Sequence, residues 1–374
     1  MKVLVIFSYK YSLKIWKDTG NIDRELQLYK LLNREKNVDF TFFTYGNKSD
    51  KKIINEFGEF NLITFSDIFK NENNILIKSL LIPLFLKKHA DAFDIIKCIQ
   101  LNGAWVGILL KLLTKKPLYI KTGFDQVIFS IKEKKSFIKR CMFYFLTQIG
   151  LMSSDLYTVA SKHDRTFIEK NYYLFDNSKL RLRPNWVEIL DYNNPVNKFE
   201  NKIISIGRLS AQKNYSYLIS ALKNSNISLE IIGSGELLGK LKEQAIQNNV
   251  KVNFLGNLRN KQVVKKLKQH RYFVIASIFE GNPKVILEAM SSGCVVIASD
   301  IPNNTEIIDD GVNGFTFDIN DKESKILQII KNSEELKLYE QVSKKAIEYV
   351  KTNNSLKNFS LQEINDYKFI LNIN

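Results

Sequence analysis

Short apolar runs alternate with longer amphipathic runs along most of the chain. Val3–Phe7 precedes a helical pattern from about Ile22 to Arg34, and then comes Val38–Phe43. Asp94–Ile99 precedes an apolar helix near Trp105–Leu113. Pro117–Ile120 precedes a basic stretch at 131–140. Leu156–Ala160 precedes a helix from Ser161, a candidate N-cap, to Tyr172. Strand-length runs separated by helix-length runs predict parallel sheets covered by helices on both faces.

The pattern breaks at Leu182–Phe199, where "RPNWVEILDYNNPVNKF" holds two prolines, four asparagines and no period. A second series then begins. Ile203–Ile206, Leu229–Ile232, Val252–Leu255, Phe273–Ala276 and Val295–Ala298 read as strands. Asn214–Lys223 and Glu236–Gln247 read as helices between them. The expected fold class is α/β, with two doubly wound Rossmann-like domains at 1–185 and 200–350 and a linker at about 183–199. A last helix, about 355–374, is a candidate for packing back onto the first domain. In such a pair the ligand site is expected in the crevice at the carboxyl ends of the strands.

Composition narrows the partners. The 374 residues are 45% hydrophobic, which is enough for a large core. Three scattered cysteines form neither a metal-ligand spacing nor a disulfide framework. The opening MKVLVIFSYKYSLK lacks the features of a signal peptide. Ile75–Leu86 is apolar but too short to span a bilayer. A cytoplasmic protein, soluble or attached to a membrane surface, is expected. The net charge of +16 is uneven: residues 1–185 hold 31 Lys+Arg against 18 Asp+Glu, the rest 24 against 21. A basic half points to nucleic acid or to an anionic membrane. No helix-turn-helix, zinc or RNA-binding signature accompanies it. Within 131–152, Lys132, Lys134, Lys135, Lys139 and Arg140 flank an apolar run. An interfacial helix and a core helix with a basic flank account for that stretch equally well.

Three segments carry candidate chemistry. "ISIGRLSAQKN" (204–214) runs a strand into Gly207, Arg208 and, at the start of a helix, Lys213. Two cations beside a helix start suit a diphosphate, although an ordinary strand–turn–helix explains the stretch alone equally well. "IIGSGE" (231–236) lacks the third glycine of a dinucleotide fingerprint and reads better as a tight turn. "FEGNPKVILEAMSSG" (279–293) places Glu280 before a helix opened by Pro283 and Glu288 inside it. The free amides of that helix start favour phosphate, and Lys284 adds charge. The two acids suit hydroxyl groups, as of ribose or sugar; a capped core helix with Glu288 in solvent is the plain alternative.

Taken in order, "GRLSAQKN", "EIIGSGELLGKL", "VNFLGN" and "FEGNPKVILEAMSSGCVVIASDIPNNTEIIDDGVNGFTF" resemble the donor-binding half of family 4 retaining glycosyltransferases of GT-B fold. The resemblance covers about 200–350, and "PNWVE" is similar to the family's Pro-Asn linker segment. It implies that Arg208 and Lys213 neutralise a departing diphosphate. It implies that Glu288 holds ribose and that Glu280 meets donor-sugar hydroxyls. Amides near Pro283, Lys284 and Val285 are implied at the phosphates, main-chain groups of Gly256 and Asn257 at the base, and Gly207 and Asn282 elsewhere in the substrate site. Gly20 is what remains of a glycine pair in the first N-terminal loop. The histidine expected near the sugar is absent from "YIKTGFDQ" (119–126), leaving Thr122, Gly123 or Asp125 to line the acceptor side. His89, His163 and His270 read as surface residues.

The implied activity is transfer from a UDP- or GDP-linked sugar to a glycan or lipid-linked acceptor. Anomeric configuration would be retained, in surface-glycan assembly at the inner membrane face. No Asp-x-Asp metal motif occurs, so neither metal nor cofactor is expected, and nucleic acid is not an expected partner. A basic nucleic-acid-binding protein and a GT-B nucleotide-sugar epimerase are the alternatives.

Overall fold

The computed structural model describes residues 1–58, 60–71, 73–189, 198–321 and 325–373. Its contacts divide the chain into two units, Met1–Pro184 with Phe359–Asn374, and Asn185–Asn358. Of the stretch read as a linker, 190–197 lies outside the described residues.

The first unit is built on seven strands. They are β1 (Lys2–Ile6), β2 (Asp39–Thr44), β3 (Asn61–Thr64), β4 (Ile95–Cys98), β5 (Leu118–Lys121), β6 (Leu156–Val159) and β7 (Leu180–Leu182). Their order is β3-β2-β1-β4-β5-β6-β7, with every neighbouring pair parallel. The second unit holds β8 (Phe199–Ile206), β9 (Ser228–Ile232), β10 (Val252–Phe254), β11 (His270–Ile275), β12 (Val295–Ser299) and β13 (Phe315–Phe317). Their order is β10-β9-β8-β11-β12-β13, again all parallel.

The second sheet shows why its strands read as unbroken apolar runs. Ile203, Tyr272, Val274, Val295 and Ile297 enter one core. Their chain neighbours Ile204, Phe273, Ile275, Val296 and Ala298 enter another. Alternate side chains point to opposite faces of a strand, so two cores need apolar residues at both. Each fully buried side chain of this size contributes about 1.5–3 kcal/mol.

The C-terminal helix Leu356–Leu371 brings charge into the first unit. Lys97 on β4 is fully buried and pairs with Glu363, while Tyr367 donates to Glu363. Asp366 accepts from Arg181 on β7 and from Arg183.

Two expectations are corrected. The stretch 131–152 is not one helix. Gln126–Lys132 ends at a turn in which Lys134 is left-handed (φ 53°), and Phe137–Ser153 starts anew. His270 is not on the surface. It is fully buried at the start of β11, with Nδ1 2.8 Å from the Lys266 carbonyl. Burial lowers its pKa and favours the neutral ring. Among the described residues no helix is long and apolar enough to cross a membrane.

Candidate active site

In the second unit the strand order reverses between β8 and β11, and the loops after these two strands meet. Ligands bind at such switch points in open α/β sheets. The loop after β8 ends in a single turn, Ala211–Lys213, before the helix Tyr215–Ala221. Gln212 joins this turn to the other loop. Its carbonyl accepts from Ile278 N at 2.9 Å, and its side-chain amide donates to the Phe279 carbonyl at 2.8 Å. The join brings Lys213 Nζ to 2.5 Å from Glu280 Oε1, with both side chains largely buried.

Neighbouring loops are fastened by backbone. Gly207 N donates to the Ile232 carbonyl at 3.0 Å, and Gly233 N to the Gly256 carbonyl at 2.8 Å. A Cβ on Gly233 would stand 2.0 Å from the Gly207 carbonyl oxygen, so only glycine permits this approach. The glycines of "IIGSGE" therefore serve close loop packing, in keeping with a tight turn. Gly256, at φ 66°, borders open space. Arg208 is exposed beside this group.

The helix Lys284–Ser291 starts from the loop that carries Glu280, with Pro283 as its N-cap. Glu288 is buried within this helix and accepts from Asn260 Nδ2 at 3.1 Å. It does not point to solvent. The loop ahead of the helix is clamped by Asn185. Its backbone N–H donates to Asn282 Oδ1 at 2.9 Å, and its side chain donates to the Asn282 carbonyl at 2.6 Å. Lys284 Nζ lies 4.8 Å from the centre of the Trp186 ring, a cation–π contact.

One end of one sheet thus gathers Gly207, Arg208, Lys213, Gly256, Glu280, Asn282, Pro283, Lys284 and Glu288. Val285 follows in the first turn of the helix, and Asn257 follows Gly256 in its loop. Cations and a helix start attract an anion, and carboxylates close by accept bonds from hydroxyls. The remaining residues singled out belong to the first unit. Gly20 (φ 74°) closes the helix Leu13–Asp18 rather than the loop after β1. Thr122 donates to the Thr158 carbonyl, and Gly123 N to Gln100. Asp125 caps the helix Gln126–Lys132. The bonds of Gln212, Asn260 and Asn185 were not legible in the sequence because their partners lie 67, 28 and 97 residues away, beyond any local pattern.

Residues 188–349 match the family described as glycosyl transferases group 1. The match lies within the second unit and spans less than half of the chain. A curated relative, the UDP-Gal:alpha-D-GlcNAc-diphosphoundecaprenol alpha-1,3-galactosyltransferase of Escherichia coli, is 27% identical over 69% of this chain and 72% of its own. An alpha-1,4-N-acetyl-D-galactosaminyltransferase of Campylobacter jejuni, named for a PP-undecaprenol-linked acceptor, is 25% identical over 56% of this chain and 59% of itself. Among solved structures, Anabaena HepE in complex with UDP and glucose superposes with a TM-score of 0.76. It covers 98% of this chain and 99% of its own at 15% identity, which establishes the GT-B fold.

Proposed function

We propose that this glycosyltransferase moves a sugar from a nucleoside-diphosphate sugar to a glycan carried on a lipid diphosphate, retaining anomeric configuration, in the assembly of a cell-surface glycan. The observation that carries this reading is the meeting of Lys213 and Glu280 at the switch point, beside the start of helix 284–291. The named acceptors of the Escherichia coli and Campylobacter jejuni relatives support the lipid diphosphate.

Arg208, Lys213 and the amides of Lys284 and Val285 take the diphosphate, with Gly207 and Asn282 shaping their loops. Glu288 takes the ribose, Glu280 the sugar hydroxyls, and the main chain at Gly256 and Asn257 the base. The acceptor oxygen attacks C1 on the face from which the diphosphate departs. The new C1–O bond forms as the old one breaks, and the acceptor's proton passes to a diphosphate oxygen. Transition-state charge collects on that leaving group, so preorganised cations lower the barrier. These groups act without a divalent metal. The +13 carried by residues 1–185 suits work at an anionic membrane surface on the cytoplasmic side.

The test uses purified protein, a panel of nucleoside-diphosphate sugars and a short-chain lipid-diphosphate glycan. Product should form with an unchanged anomeric centre and at the same rate in excess EDTA. Arg208→Ala should remove about 1.5–3 kcal/mol of transition-state stabilisation without changing thermal stability. An inverted product, loss of activity on chelation with rescue by Mg²⁺ or Mn²⁺, or sugar turnover independent of any acceptor would overturn the corresponding part.

A further inference from the structure

The helix Ile75–Leu86 is apolar on two opposite faces. Ser79, Ile82, Pro83 and Leu86 are buried. Leu76, Ile77, Leu80, Leu81, Leu84 and Phe85 are exposed and recur at the spacing of a single helix face. The helix Phe137–Ser153 carries a similar stripe. Ile138, Met142, Phe145, Ile149 and Met152 follow one another at intervals of four and three, all exposed, with Ile138 at 80%. Helix Ala104–Thr114 packs against both and adds exposed Leu112 and Leu113. Exposed apolar stripes on two helices that share a packing partner mark a binding surface rather than ordinary exposure.

The charge around this surface has one sign. Residues 75–90, 104–116 and 126–153 together contain eleven Lys or Arg and one acid, Glu133. Glu133 is paired with Lys135. A second copy docked through the same surface would bring cations against cations. An anionic bilayer would accept both features, taking the apolar side chains among its acyl chains and the lysines among its headgroups.

We propose that helices 75–86 and 137–153 form one face that inserts into the surface of an anionic bilayer. Helix 75–86 supplies hydrophobic anchorage, and the lysines around both helices supply attraction. The inference deepens the lipid-linked-acceptor reading and rests on it for its purpose: the face would hold the enzyme where such an acceptor is. It requires neither donor nor acceptor to be tested.

The experiment is co-sedimentation of the full chain with vesicles of phosphatidylcholine containing phosphatidylglycerol, and with phosphatidylcholine alone. The chain should bind the anionic vesicles, and raising the salt to about 1 M should weaken this binding without abolishing it. Leu80→Glu with Leu84→Glu should reduce binding roughly tenfold or more, with the unfolding temperature unchanged because both sites are exposed. Ile246→Glu with Leu336→Glu, more exposed apolar sites in the second unit, should leave binding as it was. The proposal is overturned if Leu80→Glu/Leu84→Glu binds like the parent or if salt removes all binding. It is also overturned if the parent is a dimer that these changes dissociate and that ignores vesicles. Transfer to a water-soluble acceptor, measured on the same variant, should persist; its loss in the parent would count against the proposed activity and not against the membrane face.

Discussion

The Lys213 ammonium stands 2.5 Å from the Glu280 carboxylate, joining the loops that follow β8 and β11. A donor diphosphate that recruits Lys213 must therefore share it with Glu280. Two like charges competing for one cation weaken each other's hold. Glu280→Gln should leave Lys213 available and raise the affinity for a bare nucleoside diphosphate a few-fold, while turnover falls. Lys213→Ala should weaken the same binding. Calorimetric titration of both variants checks this; a Glu280→Gln variant that binds the diphosphate less tightly would contradict the sharing.

Glu288 tests the division of labour between the two acids. It is buried inside helix 284–291 and bonded to Asn260. If it holds ribose, Glu288→Gln should weaken a nucleoside diphosphate by about 1–3 kcal/mol and leave inorganic pyrophosphate unaffected. Asn260→Ala should show a smaller loss in the same direction. Equal losses for the two ligands would place Glu288 in a structural role or at the phosphates.

The legible parts of this protein were those written in local sequence. The central strands of both sheets announced themselves because both of their faces are buried, which leaves apolar runs such as Phe273–Ala276. Short strands such as Asn61–Thr64 and Phe315–Phe317 did not, since three or four residues carry little pattern. Helix 75–86 was seen as apolar but not as two-faced. Periodicity reports a contrast between faces, and here both are apolar. The break at 133–136 was hidden for a different reason. No glycine or proline marks it, and Lys134 occupies a left-handed conformation unusual for lysine. At the site, Arg208, Lys213, Glu280 and Glu288 stood out from residue type and motif. The Lys213–Glu280 pair did not, because it closes 67 residues of chain.

The buried charges of the first unit lead to a stability prediction. Lys97 bonds to Glu363 and lies 5.3 Å from the ring centres of Tyr29 and Tyr119. Burial alone would raise the pKa of Glu363, but Lys97 and Lys121 outweigh it and hold the carboxyl below its ordinary value. Removing one partner strands a charge. Lys97→Met should cost about 3–5 kcal/mol, and adding Glu363→Leu should recover much of that loss. Denaturant unfolding of the single and double variants decides it. A double variant no more stable than Lys97→Met would mean that the loss does not come from a stranded Glu363 charge.

Asp125 makes stability depend on pH. Its Oδ1 accepts from Val127 N at 2.8 Å and Ile128 N at 2.9 Å, capping helix 126–132. The carboxyl is 4% exposed, and burial pushes its pKa from 3.8 up to about 6 despite those two bonds. Between these values the folded chain keeps a proton that the unfolded chain has lost. Stability therefore falls as pH rises through this window, and the Asp125 contribution is complete below the lower value and gone above the upper one. The expected loss is roughly 2–3 kcal/mol at most. Asp125→Asn preserves an oxygen for the two amides but cannot ionise. It should be the more stable form at neutral pH, with the advantage shrinking towards pH 4. Unfolding midpoints of both proteins, measured from about pH 4 to pH 7.5, check the sign. A constant difference across that range would show that Asp125 ionises in the folded chain as readily as in the unfolded one.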